Sequence, residues 1–113
     1  MKIELFYFDG CPNYLTALRK LNAAIRELDL TERAELIKVK DNDDAEQKRF
    51  LGSPSIRIDG RDIEGLEEPP DGCAMCCRRY RLGDQILNYP PEAKILEALR
   101  ARIETRQNSN NHH

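Results

Sequence analysis

Residues 3–12, with the sequence IELFYFDGCP, decide the fold class of this chain. The apolar residues of the stretch stop at Asp9-Gly10 and have the length and composition of a buried strand. Beyond it, apolar residues recur every three or four positions and predict one face of a helix, formed by Leu15, Leu18, Leu21, Ile25 and Leu28. Pro12 fits the first turn of that helix, where its missing N–H is not needed. A strand therefore passes into a helix at Cys11.

The rest of the chain continues the alternation of strands and helices. The pattern predicts a strand at 34–39, a short helix at 42–51, a hairpin of strands at 55–58 and 61–64 joined by Asp59-Gly60, a looser segment at 65–88 and a last helix that begins at 90–92. The order is β-α-β-α-β-β-α. Strands joined through a helix are expected to be parallel and the hairpin antiparallel, so the prediction is an α/β fold with a four-stranded mixed sheet and helices on both faces.

Length and charge limit the organisation and the partners of the chain. Its 113 residues suit one domain, predicted at 1–105, and residues 106–113 are interpreted as a flexible tail or the remnant of a tag. The net charge is −2 and the basic residues are spread among acids, so no nucleic-acid partner is predicted. No apolar run approaches the roughly 20 residues needed to cross a bilayer, and the first residues do not form a signal peptide, so a cytoplasmic location is expected.

The positions of the histidines and cysteines limit the kinds of catalytic and metal sites that the domain can contain. The only histidines are His112 and His113, so the predicted domain has no Cys–His pair, Ser–His–Asp triad or histidine-ligated metal. The chain has four cysteines, at positions 11, 73, 76 and 77. In a reducing compartment cysteines more often indicate redox chemistry, metal binding or core packing than a disulfide framework.

Two motifs carry a resemblance to a known family. The turn Phe8-Asp9-Gly10-Cys11-Pro12 resembles the active-site turn of thioredoxins and glutaredoxins, and Gly52-Ser53-Pro54-Ser55-Ile56 resembles their cis-proline loop. The resemblance covers residues 3–64 well and the last helix more loosely, and it implies a thioredoxin-like three-layer α/β/α fold. The combination of FDGCPNY, FLGSPSIRIDGRD and CCRRY is also similar to a bacterial branch of that family sometimes labelled alkylmercury-lyase-like.

The resemblance implies roles for the residues of the two motifs. Cys11 would be the attacking thiolate, which the free N–H groups and the dipole at the start of a helix favour. Pro12, Ser53 and a cis Pro54 would position an extended substrate. The family's Cys-x-x-Cys pair is incomplete, because Tyr14 stands where the second cysteine would be.

The other three cysteines lie in Cys73-Ala74-Met75-Cys76-Cys77, which the topology places at the same end of the sheet as Cys11. Cys77 or Cys76 is predicted to resolve a bond to Cys11. Alternatively, Cys73, Cys76 and Cys77 bind a soft metal ion. The Cys-x-x-Cys spacing of Cys73 and Cys76 suits either such a metal or a disulfide between the two. The arginines that follow, at positions 78, 79 and 81, would attract anions or form a solvated basic stretch, and Tyr80 is predicted to pack under the loop.

The leading hypothesis is a thiol-based redox protein that exchanges disulfides with a protein or a small-molecule thiol and uses no cofactor. One alternative is a soft-metal or metalloid binding protein in which Cys11 joins the other three thiolates. Another is an inactive thioredoxin-like scaffold that binds partners through the same groove, which Tyr14 favours. Whether the chain is an enzyme, its substrate and its oligomeric state are left open by the sequence.

Overall fold

A computed structural model describes residues 1–70 and 72–110, with the side chains of residues 106–110 left out. The elements are β1 (Ile3–Tyr7), α1 (Tyr14–Glu27), β2 (Ala34–Lys38), α2 (Asn42–Lys48), β3 (Ser55–Ile58), β4 (Arg61–Asp62), β5 (Tyr80–Leu82), β6 (Gln85–Leu87) and α3 (Glu92–Asn110). None of the helices in this part of the chain has the length and apolar character needed to cross a membrane.

The main sheet has four strands in the order β2-β1-β3-β4. β1 is parallel to β2 and antiparallel to β3, and β3 is antiparallel to β4. The hairpin turn has positive φ at both central residues, 52° at Asp59 and 82° at Gly60, as two-residue turns with the right twist require. The predicted α/β class, the mixed sheet and the order β-α-β-α-β-β-α are therefore confirmed.

Two apolar cores lie on opposite faces of the sheet because the side chains of β1 alternate. Ile3 and Leu5 belong to a core with residues of α1, β3 and α3, namely Ala17, Leu21, Ala24, Ile25, Ile56, Ile58, Ile95 and Leu99. Phe6 belongs to a second core with Val39, Ala45 and Phe50, on the side of α2. The helices therefore cover both faces, as predicted.

The boundaries of two helices differ from the prediction. α1 begins at Tyr14, two residues after Pro12, and Leu15 is 55% exposed rather than part of the apolar face. α2 is capped by Asp41, whose carboxylate accepts a hydrogen bond of 2.8 Å from the N–H of Asp44, and it ends at Lys48 because Arg49 has a left-handed φ of 53°.

The segment predicted as loose, 65–88, contains two short strands, β5 and β6. β5 and β6 form a separate two-stranded antiparallel sheet, with a turn that holds Gly83 at a φ of 60°. Of the tail predicted at 106–113, residues 111–113 lie outside the described residues, and the backbone of α3 continues through Asn110.

Candidate functional site

The two motifs of the sequence lie at one edge of the main sheet. β1 and β3 run antiparallel with Phe6 opposite Ser55, so the end of β1 and the start of β3 lie at the same edge. Cys11 follows β1 in a turn where its N–H donates to the carbonyl of Phe8 at 3.2 Å. Ser53 and Pro54 come directly before β3 and are joined by a cis peptide bond. The topology therefore brings the Cys11 turn and the Pro54 loop together.

A third segment, residues 73–81, which we call the cysteine strap, is hydrogen-bonded to the Pro54 loop. Ser53 forms a parallel β-bridge with Cys77. The N–H of Ser53 donates to the carbonyl of Cys76 at 2.9 Å, and the N–H of Arg78 donates to the carbonyl of Ser53 at 2.9 Å. Both main-chain polar groups of Ser53 are thus occupied by the strap, so an external substrate cannot pair with them while the strap is in place.

The four cysteines are in three different situations. Cys73 and Cys76 form a disulfide with a Cα–Cα distance of 5.6 Å, and both residues are exposed. Cys77 is a free, exposed thiol, and Cys11 is a free thiol that is only 3% exposed. The predicted bond from Cys11 to Cys76 or Cys77 stays a prediction, since Cys76 is bonded to Cys73 in this structure.

Burial alternates along the strap. Cys77, Arg79 and Arg81 are exposed, whereas Arg78 and Tyr80 are buried, as expected for an extended chain with one face against the protein. The arginines predicted to form one basic stretch are therefore divided: Arg78 is 2% exposed and takes no part in a solvated surface.

The buried guanidinium of Arg78 is held by acids from the β3–β4 hairpin and the residues that follow it. Its Nη1 and Nη2 donate to the two carboxylate oxygens of Asp62 at 2.6 and 2.8 Å, and Nη2 also donates to Glu64 at 3.0 Å. Burial alone would lower the pKa of Arg78, but the hydrogen bonds to Asp62 and Glu64 outweigh it and raise that pKa. This bidentate pair fixes the strap to the sheet.

Tyr80 fixes the strap at a second point. Its hydroxyl donates to the carbonyl of Pro54 at 2.5 Å, and the residue is 1% exposed. Burial raises the pKa of the Tyr80 phenol above its usual value. The prediction that Tyr80 packs under the loop is confirmed, and its partner is the predicted substrate-positioning proline.

Aromatic packing occupies the position that a second cysteine would take in the α1 turn. The ring of Tyr14 stacks on that of Tyr7 with centroids 4.2 Å apart and an interplanar angle of 14°. Pro12 is exposed and precedes the helix, and the carbonyl of Asn13 accepts the first helical hydrogen bond, from Ala17 at 3.1 Å. Tyr14 therefore contributes packing where the resemblance implies redox chemistry.

Two neighbouring serines differ in how their hydroxyls are satisfied. The Ser53 hydroxyl is buried and has no hydrogen-bond partner among the described residues. The Ser55 hydroxyl, also buried, donates to the carbonyl of Gly52 and accepts from Arg78 at 3.0 Å. Ser53 thus has an unused hydroxyl beside the strap.

We expect Ser53→Ala to leave the free energy of unfolding unchanged or to raise it by up to about 1 kcal/mol, because an unsatisfied buried hydroxyl is removed. The matched variant Ser55→Ala is expected to lower it by about 1–3 kcal/mol, because the partner groups of its hydroxyl lose their hydrogen bonds. Urea titration of both variants measures the difference. Equal destabilisation by the two substitutions would show that the Ser53 hydroxyl has a partner.

The soft-metal hypothesis requires a cluster of metal-binding side chains. Within residues 1–70 and 72–110, no group of three or more histidine, cysteine, aspartate or glutamate side chains is arranged to hold a metal ion. A site of Cys73, Cys76 and Cys77 would first require reduction of the Cys73–Cys76 bond, since the thiolate is the ligand form of cysteine. That site stays a prediction.

Comparison of the chain with protein-family models, with curated proteins and with solved structures finds no match. The fold and the site define a small α/β protein whose cysteine strap is fixed across the edge of a mixed sheet. Sequence reasoning missed the anchors of the strap, which are Asp62, Glu64 and the buried Arg78. The residue types of CRRYR did not indicate these contacts, because arginine stands at the buried position 78 as well as at the exposed positions 79 and 81.

Proposed function

We propose that this chain is a thiol-based redox protein that exchanges disulfides with a protein or a small-molecule thiol. The observation that carries the proposal is the exposed Cys73–Cys76 disulfide on a strap hydrogen-bonded to Ser53, at the sheet edge of Cys11. The resemblance of the Cys11 turn and the Pro54 loop to thioredoxins and glutaredoxins supports the same chemistry. In the cytoplasm, where we propose that the protein works, disulfides are usually transient and serve catalysis or redox sensing.

The exposed disulfide accepts electrons from a partner dithiol. A partner thiolate attacks the sulfur of Cys73 or Cys76, the S–S bond breaks, and a mixed disulfide forms while the other strap sulfur leaves as a thiolate. The second partner thiolate then attacks the partner sulfur of the mixed disulfide and releases the strap cysteine. Two electrons and two protons pass to the strap, and the partner leaves as a disulfide. The reverse sequence reduces a partner disulfide.

The two free thiols form a second couple in this proposal. Cys77 is exposed and Cys11 is buried, so Cys77 meets an external disulfide first. The Cys77 thiolate forms a mixed disulfide and releases one partner thiolate; Cys11 then attacks the Cys77 sulfur and releases the other. This order reverses the one predicted from the sequence, in which Cys11 attacks and Cys77 or Cys76 resolves, and the burial of Cys11 is the reason for the change.

Thiol trapping with peptide mapping tests the proposal. The protein is equilibrated with mixtures of reduced and oxidised dithiothreitol, alkylated and analysed by mass spectrometry. We expect the Cys73–Cys76 population to follow the ratio of the two forms, and Cys73→Ser to abolish it. A Cys11–Cys77 bond is expected to appear after oxidation in the wild type and to be absent in Cys77→Ser. Four cysteines that stay reduced at every ratio would overturn the proposal.

The soft-metal alternative is tested on the fully reduced protein, because only then are all strap thiolates available. Stoichiometric zinc or copper that survives gel filtration, and is lost in Cys76→Ser, would support it. The inactive scaffold is favoured by the Tyr7–Tyr14 stacking in place of a second cysteine. It predicts that neither cysteine couple responds to the dithiothreitol ratio and that no metal is retained.

A further inference from the structure

The exposed thiol of the strap shares its side of the chain with two arginines. Cys77, Arg79 and Arg81 are all exposed, while the residues between them, Arg78 and Tyr80, are buried. In an extended chain, residues two apart point to the same side, with about 6.6 Å between their Cα atoms. The side chain of Arg79 is therefore long enough to reach a group bonded to the Cys77 sulfur, and Arg81 follows two residues further along the same side.

These two arginines carry charge that is not neutralised by the rest of the described structure. Arg79 and Arg81 make no ion pair or hydrogen bond through their side chains to residues 1–70 or 72–105, whereas the charge of Arg78 is paired with Asp62 and Glu64. Across the hairpin, Arg81 lies opposite Ile86, which is itself 56% exposed. The exposed side of the strap is therefore a thiol followed by two cations that have no partner among the described side chains.

We propose that Cys77 selects anionic disulfides, of the class that carries carboxylate groups near the sulfur, through Arg79 and Arg81. This inference rests on the proposed function. Guanidinium groups bind carboxylates with charge-assisted, often bidentate hydrogen bonds. The arginines determine which disulfide binds beside Cys77, and they take no part in the exchange itself. In the exchange, the Cys77 thiolate attacks one sulfur of the disulfide and the S–S bond breaks. A mixed disulfide forms, while an anionic thiolate leaves and takes up a proton.

The size of the effect follows from the exposure of the two cations. Exposed ion pairs are individually weak, so each arginine is expected to change the rate by a small factor, and both together by about 3- to 20-fold. The Debye length is about 8 Å at physiological ionic strength and about 3 Å at 1 M, so the selection is expected to be largest in dilute buffer and to fall as salt is added.

A charge series of disulfides tests the inference on the full chain with its Cys73–Cys76 bond intact. Dithiodiglycolate carries two negative charges, hydroxyethyl disulfide none and cystamine two positive charges. The rate at which Cys77 leaves the reduced state, as a mixed disulfide or as the Cys11–Cys77 bond that follows from it, is measured by alkylation and mass spectrometry. Each rate is divided by that of the same reagent with mercaptoethanol, which removes differences in leaving-group reactivity. We expect the order anionic, neutral, cationic, with anionic over neutral about 3- to 20-fold in dilute buffer.

Two variants test whether the arginines of the strap cause the preference of Cys77 for anionic disulfides. Arg79→Gln/Arg81→Gln is expected to bring the anionic-to-neutral ratio close to one, and Arg100→Gln, which removes an exposed charge from α3, is expected to leave the ratio unchanged. Equal normalised rates for the three reagents, or an unchanged ratio in the double variant, would overturn the selection by charge while leaving exchange at Cys77 intact. Failure of Cys77 to form either a mixed disulfide or a Cys11–Cys77 bond with any reagent would overturn both the selection and the role of Cys77 in the proposed function.

Discussion

Replacing Arg78 with methionine, Arg78→Met, is expected to lower the free energy of unfolding by about 3–5 kcal/mol. The guanidinium and the Asp62 carboxylate are both buried, with side-chain exposures of 0% and 1%, and they are joined by two hydrogen bonds. Removing the cation leaves the carboxylate without its counter-charge in a region that water does not reach. The loss is a large share of the 5–15 kcal/mol that stabilises a typical domain.

The neighbouring residue offers a matched control. Arg79→Met removes the same charge from the same strap at an exposed position, and we expect a change within about 0.5 kcal/mol. The double variant Arg78→Met/Asp62→Leu is expected to recover part of the loss, since replacing both members of a buried pair with apolar residues is often neutral. Urea unfolding followed by circular dichroism measures all three. Loss of less than 1 kcal/mol in Arg78→Met would contradict the assignment of this pair as the anchor of the strap.

The order of strands and helices was predictable because its signals are local. The apolar run of residues 3–8, the period of the leucines in α1 and the Asp59-Gly60 turn each determine a neighbouring stretch of backbone. Leu15 shows the limit of such signals. It has the spacing of the apolar face, but it lies in the first turn of α1, where its side chain is 55% exposed.

The anchors of the strap depend on contacts between distant parts of the chain, which single-sequence patterns do not report. Arg78 is 16 residues from Asp62 and 23 from Ser55, and arginine is a residue type that is almost never fully buried without a partner. The placement of Cys11, Ser53 and Pro54 at one edge was predictable from topology. The spacing of Cys73 and Cys76 made a disulfide between them one alternative, but the sequence could not separate it from metal binding or from a bond between Cys11 and one of the other cysteines.

Gly52→Ala is expected to lower the free energy of unfolding by about 2–6 kcal/mol, as the sum of two costs. Gly52 has a φ of 106°, which L-residues rarely adopt, so alanine there is strained by about 1–3 kcal/mol. An added Cβ would also lie 3.0 Å from the Cβ of Arg78 and 3.3 Å from the carbonyl oxygen of Cys76, which adds an overpacking cost of about 1–3 kcal/mol.

The clash in Gly52→Ala falls on the two strap residues that hydrogen-bond to Ser53, so we expect the variant to loosen the strap as well as the fold. Gly83→Ala separates the two costs, because Gly83 also has a positive φ, 60°, but an added Cβ would meet nothing within 4 Å. That control is expected to lose only about 1 kcal/mol. Under conditions where each variant is folded, iodoacetamide should modify the buried Cys11 faster in Gly52→Ala than in Gly83→Ala. If Gly52→Ala and Gly83→Ala lost equal stability and Cys11 were alkylated equally fast in both, the strap would tolerate the methyl group added at position 52. The close approach of the strap to Gly52 would then not control access to Cys11.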